Sequence, residues 1–445
     1  MKKRLGILFL TVLLLGTLLG CQFRQGFSDE DKVQELKVIT TFAGEDGNAQ
    51  IFKDAVGAFE ESTGILVIDQ SSVSTEEFKA RVETDFQAGS EPDVLFFFSG
   101  ADASNFIREG KVVSIEDIRK LYPEYASNMN EDLIMPSLVD GRKYSVPVNG
   151  FWEGMFCNTA VLKKCGVEVP GKGYTWEKFL EDCEKIKQAG YIPIAAALGD
   201  LPHYWWETCI FNHTTPETHL EIPVNVSMGN GPAWVAGMED IKDLYSRGYF
   251  PSNTLSTKDD DTFAMFTGDR AAFLIDGSWK VGSIVSSCQS DPTNPATLDE
   301  EKLSRFTVTY PPTMGNRKST DLIGGLSMGY YITQKAWEDE ETREAAVRFV
   351  EYMTSDNMVT RFSKNSISAL KTRPLMNREH SNSLERKVTV MLDEVTSLTG
   401  AVQDVFSGEC RKSTFDGMPQ IVTGDVSPKD AVSSGLSVYA SENKK

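Results

Sequence analysis

The chain has 445 residues, with 45 Lys and Arg against 64 Asp and Glu, a formal net charge of −19. A surface this acidic repels phosphates, and beyond Lys2-Lys3-Arg4 no basic run exceeds two residues, so nucleic acid is excluded as a partner. The length exceeds one ordinary hydrophobic core and calls for two or more lobes.

Lys2, Lys3 and Arg4 precede an uncharged apolar run over residues 5–20, short for a bilayer span but suited to the apolar region of a signal peptide. It ends in Leu18-Leu19-Gly20-Cys21, which resembles the bacterial lipobox. Residues 1–20 are therefore expected to be removed and Cys21 to carry lipid, with residues 21–35 as a polar tether. Six further cysteines, Cys157, Cys165, Cys183, Cys209, Cys288 and Cys410, are widely and irregularly spaced. They fit buried small hydrophobes with at most one or two disulfides, and neither they nor the four histidines have metal-ligand spacing.

A β-α-β-α-β order follows. Residues 37–42 are β-rich; residues 49–61 put Phe52, Val56 and Phe59 on one helical face, closed by Thr63-Gly64. Residues 66–68 form a second strand. Phe78, Val82 and Phe86 mark a second helix, and Val94-Leu95-Phe96-Phe97-Phe98 reads as a strand buried on both faces of a parallel sheet. The carboxyl ends of the first and third strands carry Glu45-Asp46 and Ser99-Gly100-Ala101-Asp102, polar glycine-containing loops suited to a ligand crevice.

Residues 143–150 look strand-like, and Gly150-Phe151-Trp152-Glu153-Gly154 reads as a domain crossing whose glycines absorb a hinge rotation. Met155 to Asn158 resume a strand. Thr175 caps a helix with Trp176, Phe179, Leu180, Cys183 and Ile186 on one face. A strand over residues 191–197 leads to Asp200 and the aromatic run Tyr204-Trp205-Trp206. The apolar stretch 271–275 ends at Asp276-Gly277-Ser278, which leaves Trp279 at the carboxyl end of a strand, where open α/β sheets bind ligands; burial in the core is the equal alternative.

These features together resemble family 1 of the extracellular solute-binding proteins, carbohydrate-binding lipoproteins of ATP-binding-cassette importers. The residues that carry the resemblance include Phe59-Glu60-x-x-Thr63-Gly64, Ala88-Gly89-x-x-Pro92-Asp93-Val94, Gly154-Met155-Phe156-Cys157-Asn158, Tyr174-Thr175-Trp176-Glu177-x-Phe179, Gly190-x-x-Pro193-Ile194-Ala195, Phe266-x-x-Gly268-x-x-Ala271-Ala272 with Gly277-Ser278-Trp279, and Ala345-Ala346-x-x-Phe349-Val350. Cys157 departs from the family's usual Tyr.

The resemblance implies an α/β, two-lobe, periplasmic-binding-protein-like (type II) fold. Residues 36–149 and 305–333 would form one lobe, and residues 150–304 and 334–445 the other. It implies a monomer that binds a carbohydrate in the cleft, serves an importer permease, is held at the membrane by its lipid, and needs no cofactor or metal. Carried over by position, the ligand-binding residues would be Glu45, Asp46, Ser99, Asp102, Asp200, Tyr204, Trp205, Trp206, Asp276 and Trp279, with Phe151, Trp152 and Glu153 at the hinge, where the inward-facing residue is open. A pyranose has C–H faces that pack on aromatic rings and hydroxyl rims that need acceptors, which this set supplies. A lipid-anchored glycosidase is the alternative, requiring two carboxylates across a scissile bond. Gly325-Leu326-Ser327-Met328-Gly329 matches a nucleophile elbow, but a strand rather than a helix is expected after the Ser. Gly166 to Lys172 fits a phosphate-loop spacing, but Gly173 replaces the required Ser or Thr.

Overall fold

The computed structural model describes residues 33–44, 46–315, 317–372 and 381–442. Cys21, the leader and tether before residue 33, and Glu45 lie outside these.

The first sheet has the strand order β2-β1-β3-β9, from β1 (Glu35–Ile39), β2 (Leu66–Asp69), β3 (Val94–Phe98) and β9 (Met328–Ile332). β1 pairs in parallel with β2 and β3, which calls for crossover connections between them, and β9 runs antiparallel along β3. The crossover helices are α1 (Ala49–Thr63) and α2 (Glu76–Gln87). α1 stops at Gly64, whose φ of 73° is the left-handed conformation that ends helices and suits glycine. Thr75 caps α2 by accepting a hydrogen bond from the Phe78 N–H.

The second sheet has the order β10-β8-β4-β6-β5, with β7 also on β4. Its strands are β4 (Phe151–Asn158), β5 (Ile192–Ile194), β6 (Ala271–Gly277), β7 (Phe306–Thr309), β8 (Asp321–Gly325) and β10 (Ser397–Thr399). Its helices include α3 (Trp176–Gln188), α4 (His203–Phe211), α5 (Asp259–Thr267), α6 (Lys280–Ser287), α7 (Glu340–Met353), α8 (Asp356–Phe362), α9 (Ser383–Asp393), α10 (Val402–Val405) and α11 (Gly408–Thr414), except that α7 and α8 return to the first sheet.

That exception corrects the expected lobe boundaries. β7 and β8 pair with β4, so residues 306–325 belong to the second lobe, not the first. Conversely α7 buries Ala345, Ala346, Phe349, Val350 and Met353 in the first-lobe core with Leu36, Val38 and Phe59, and Phe349 meets Phe59 edge-on at 5.2 Å. Amphipathicity fixes that α7 hides a face, but not which sheet receives it.

The chain crosses between lobes at residues 149–151, again between β8 and β9, and again after residue 370. The first two crossings touch: a Cβ on Gly150 would lie 2.3 Å from the Gly325 carbonyl oxygen. The Gly150 N–H also donates to the Ile367 carbonyl at 2.7 Å, which brings the segment before the third crossing alongside. Gly154 is no hinge. It lies inside β4 under the Trp152 ring, where a Cβ would come within 2.9 Å of that ring. All six described cysteines are free thiols.

Candidate functional site

Between the lobes lies a cleft of about 2610 Å³, larger than the roughly 300–1,000 Å³ of pockets for single small molecules. The second-lobe wall is built by β6 and α6. The backbone leaves the buried strand at Gly277, and Trp279 folds back so that its six-membered ring lies flat on Gly277; a Cβ there would sit 2.1 Å from Trp279 Cη2. Only glycine allows that approach. Half-buried Trp279 meets half-buried Tyr204 at 5.8 Å and Phe151 at 6.5 Å, ring centre to ring centre. All three rings line the cleft.

Polar groups surround this aromatic wall. Asp276 accepts a 2.7 Å hydrogen bond from the Gly277 N–H and faces the Lys280 ammonium at 3.6 Å. Burial pushes its carboxyl up to about 7 against the pull of Lys280. Lys280 is shared with Asp259 at 2.7 Å. Asp404, in α10, also lines the cleft, and burial raises its carboxyl to about 7. Glu207 docks α10 by accepting the N–H groups of Val402 at 3.1 Å and Gln403 at 2.8 Å. On the first-lobe side, Asp46 accepts the Asn48 N–H at 2.8 Å ahead of α1, and burial raises it to about 6.

The lobes meet at two further places. Gly47 and Gly282 pack backbone to backbone, so that a Cβ on Gly282 would lie 2.5 Å from Gly47 Cα. Arg411 of α11 reaches across to Asp102 at 2.6 Å and Glu76 at 3.3 Å, and Lys79 completes the group at 3.1 Å from Asp102. Burial alone would raise Asp102, but Lys79 and Arg411 hold it below the usual carboxylate range. Next to this group Gly100 packs on the Asp404 carbonyl, where a Cβ would lie 1.9 Å from the oxygen.

Of the residues expected at the site, Asp46, Asp102, Phe151, Asp200, Tyr204, Asp276 and Trp279 line one cleft. Several do not act as the sequence suggests. Trp205 and Trp206 are 1% and 0% exposed. The run after Pro202 is a helix and turns both indoles into the second-lobe core against Phe179 and Phe250, and against Trp234 and Phe415. Trp152 points to the opposite face of β4 from Phe151 and donates its indole N–H to the Asn365 carbonyl at 2.8 Å. Ser99 is buried and hydrogen-bonded to the Ser145 hydroxyl at 2.9 Å, and Asp102 is spent on the interlobe ion pair. Asp200 lines the cleft rim but holds Lys258 at 2.6 Å and the Asp259 N–H at 3.1 Å at the start of α5. Glu153 shares a strand face with Phe151 but lies one layer deeper, 1% exposed. Arg411, Asp404, Gly47 and Gly282 went unread, because their roles arise only from segments distant in sequence.

The sequence profile described as "Bacterial extracellular solute-binding protein" matches residues 44–358, well over half of the chain. The osmoprotective compounds-binding protein GgtB of Synechocystis is 25% identical over 216 residues, covering 47% of this chain and 49% of that protein. A Brucella abortus binding protein is 23% identical over 139 residues, 31% of this chain and 33% of the other. The chain thus matches half or less of the length of these curated relatives. Among solved structures, a chitin oligosaccharide binding protein superposes with a TM-score of 0.77 at 19% identity, covering 92% of this chain and 99% of the other. The maltose/maltodextrin-binding domain MalE of Bdellovibrio bacteriovorus, bound to maltotriose, gives 0.69 at 16% identity, with 92% and 100% covered. The GacH receptor of Streptomyces glaucescens gives 0.70 at 16%, with 92% and 98% covered. At these identities the likeness establishes the two-lobe fold.

Proposed function

This chain belongs to the bacterial extracellular solute-binding proteins, and from that premise we propose that it captures a carbohydrate, an oligosaccharide by the size of its cleft, and delivers it intact to the permease of an ATP-binding-cassette importer. The observation that carries this reading is the wall of Phe151, Tyr204 and Trp279 set among Asp46, Asp276 and Asp404. Flat rings pack on the C–H faces of pyranoses, and buried carboxyls take up hydroxyl hydrogens. Neighbours of the same fold are described with chitin oligosaccharide, maltotriose and acarbose, which agrees with that chemistry.

Leu18-Leu19-Gly20-Cys21 supports export with lipid on Cys21, which would hold the protein near its permease at the outer face of the cell membrane. The family and its structural neighbours are binding proteins, and we read this chain likewise as a monomeric binder with no catalytic residue. The test is a melting screen against a glycan library, followed by product analysis. A binder raises its midpoint with a saturable glycan recovered intact. Release of shorter sugars from that glycan would turn the reading to a glycosidase, and a panel without any stabilising glycan would end the carbohydrate assignment.

A further inference from the structure

The aromatic wall continues past Tyr204. Phe151 meets Trp279 at 6.5 Å, Trp279 meets Tyr204 at 5.8 Å, and Tyr204 in turn meets His203 at 4.2 Å, so that ring contacts join the four in one row. All four line the cleft. The row starts at the first residue of β4, beside the lobe crossing, and ends near the cross-lobe bridge, since His203 lies in the field of Lys79, Glu76 and Arg411. His203 opens α4, and the turn of helix that sends Trp205 and Trp206 into the core holds His203 and Tyr204 at the cleft. His203 is half-buried, and among the described residues no group hydrogen-bonds to either of its ring nitrogens. Burial pulls its pKa down to about 3, with Lys79 and Arg411 adding to that against Glu76, so the ring is neutral near pH 7.

A neutral imidazole carries one N–H donor and one bare nitrogen that accepts, whereas an ionised carboxylate only accepts. Sugar hydroxyls donate and accept, so an imidazole with both nitrogens open meets both halves of that chemistry. We propose that His203 is a ligand-binding residue at the end of this row: a sugar chain stacked on Trp279 runs past Tyr204, and the unit that reaches His203 is held through its hydroxyls by the two ring nitrogens. The inference rests on the carbohydrate reading of the cleft and deepens it. Tyr204 stands between Trp279 and His203, so a single pyranose on Trp279 leaves the imidazole unmet and only a longer chain engages it.

The probes are chito-oligosaccharides and malto-oligosaccharides of one to five units, titrated calorimetrically at pH about 7 against the whole protein. In the series that binds, affinity should climb with length, and the readout is the ratio of the longest probe's affinity to that of the shortest one that binds. His203→Phe keeps a flat ring on Tyr204 but removes both nitrogens, and should cut that ratio by about tenfold, as the loss of one or two net hydrogen bonds implies. His203→Gln restores a donor and an acceptor and should recover most of the ratio, while Trp279→Ala should weaken every length. Thermal melting of each variant checks the fold. A ratio unchanged in His203→Phe, or a loss that is the same at every length, would overturn the placement of His203 at the end of the row and leave the carbohydrate reading standing. A ratio as low in His203→Gln as in His203→Phe would overturn the hydrogen-bonding role. Binding of neither series would count against this placement and the carbohydrate reading together.

Discussion

Gly277→Ala isolates the aromatic wall with one methyl group. The added carbon would stand 2.1, 2.3 and 2.4 Å from Trp279 Cη2, Cζ2 and Cζ3, whereas carbon atoms rest at about 3.5–4.0 Å. The indole must therefore retreat by more than about 1 Å. The strand below cannot yield, since Gly277 pairs with Glu153 in the β4–β6 ladder. The way out is toward the cleft, because Trp279 is half-buried and lines it. Overpacking of this size costs about 1–3 kcal/mol, and here it falls on the ligand-stacking position of the ring more than on the fold. With about 1.4 kcal/mol per decade of affinity, the most stabilising glycan should bind roughly tenfold more weakly, with altered tryptophan emission and a melting midpoint lowered by only a few degrees. Calorimetric titration together with fluorescence and thermal melting reads all three. Unchanged affinity with unchanged emission would refute the claim that this ring is the sugar platform.

The remaining indoles should separate cleanly from it: Trp206→Ala should cost about 3–5 kcal/mol of stability as a core truncation, while Trp279→Ala should melt near the parent and lose ligand, as paired melting and titration would establish. Arg411→Leu removes the cross-lobe bridge to Asp102 and Glu76. Ligand-free X-ray scattering should show a larger radius of gyration, and identical scattering would contradict the bridge as a closing contact. Asp102 is held below its ordinary value, so its contribution is present above the unfolded carboxylate value and is lost as pH falls through the lower folded one. The bridge should therefore fail only in strong acid. Asp404 has the opposite sign. Its carboxyl is raised to about 7, so its neutral form favours folding at low pH, and that benefit disappears as pH rises from about 4 to about 7. Asp404→Asn should remove this slope and melt higher than the parent at pH about 8; a lower midpoint there would contradict the buried, charge-averse setting of the group.

Much of the fold was legible because its signals are local. The run of Val94 to Phe98 is the strand it reads as, Thr175 caps the helix it precedes, and Gly64 ends α1. Trp279 was legible as a cleft-lining residue because a large aromatic follows a strand end. Lobe membership of β7, β8 and α7 was not, since an apolar face does not name its partner. The aromatic run after Asp200 misled because an aromatic-rich stretch beside Pro202 has the composition of a binding loop. In a helix, however, Tyr204 faces the cleft while its two neighbours turn into the core. Asp102 looked like a ligand acceptor for a similar reason: its partner Arg411 lies more than 300 positions away and no spacing announces it.

The central claim is that a carbohydrate lies against Trp279 between the two lobes and leaves unchanged. The most direct measurement is a crystal structure of the protein grown with the glycan that most raises its melting midpoint. The account predicts a pyranose ring stacked on the Trp279 face at about 4 Å, hydroxyls directed to Asp276 and Asp404, and every glycosidic bond intact. A glycan bound away from Trp279, or one found cleaved in the cleft, would contradict it.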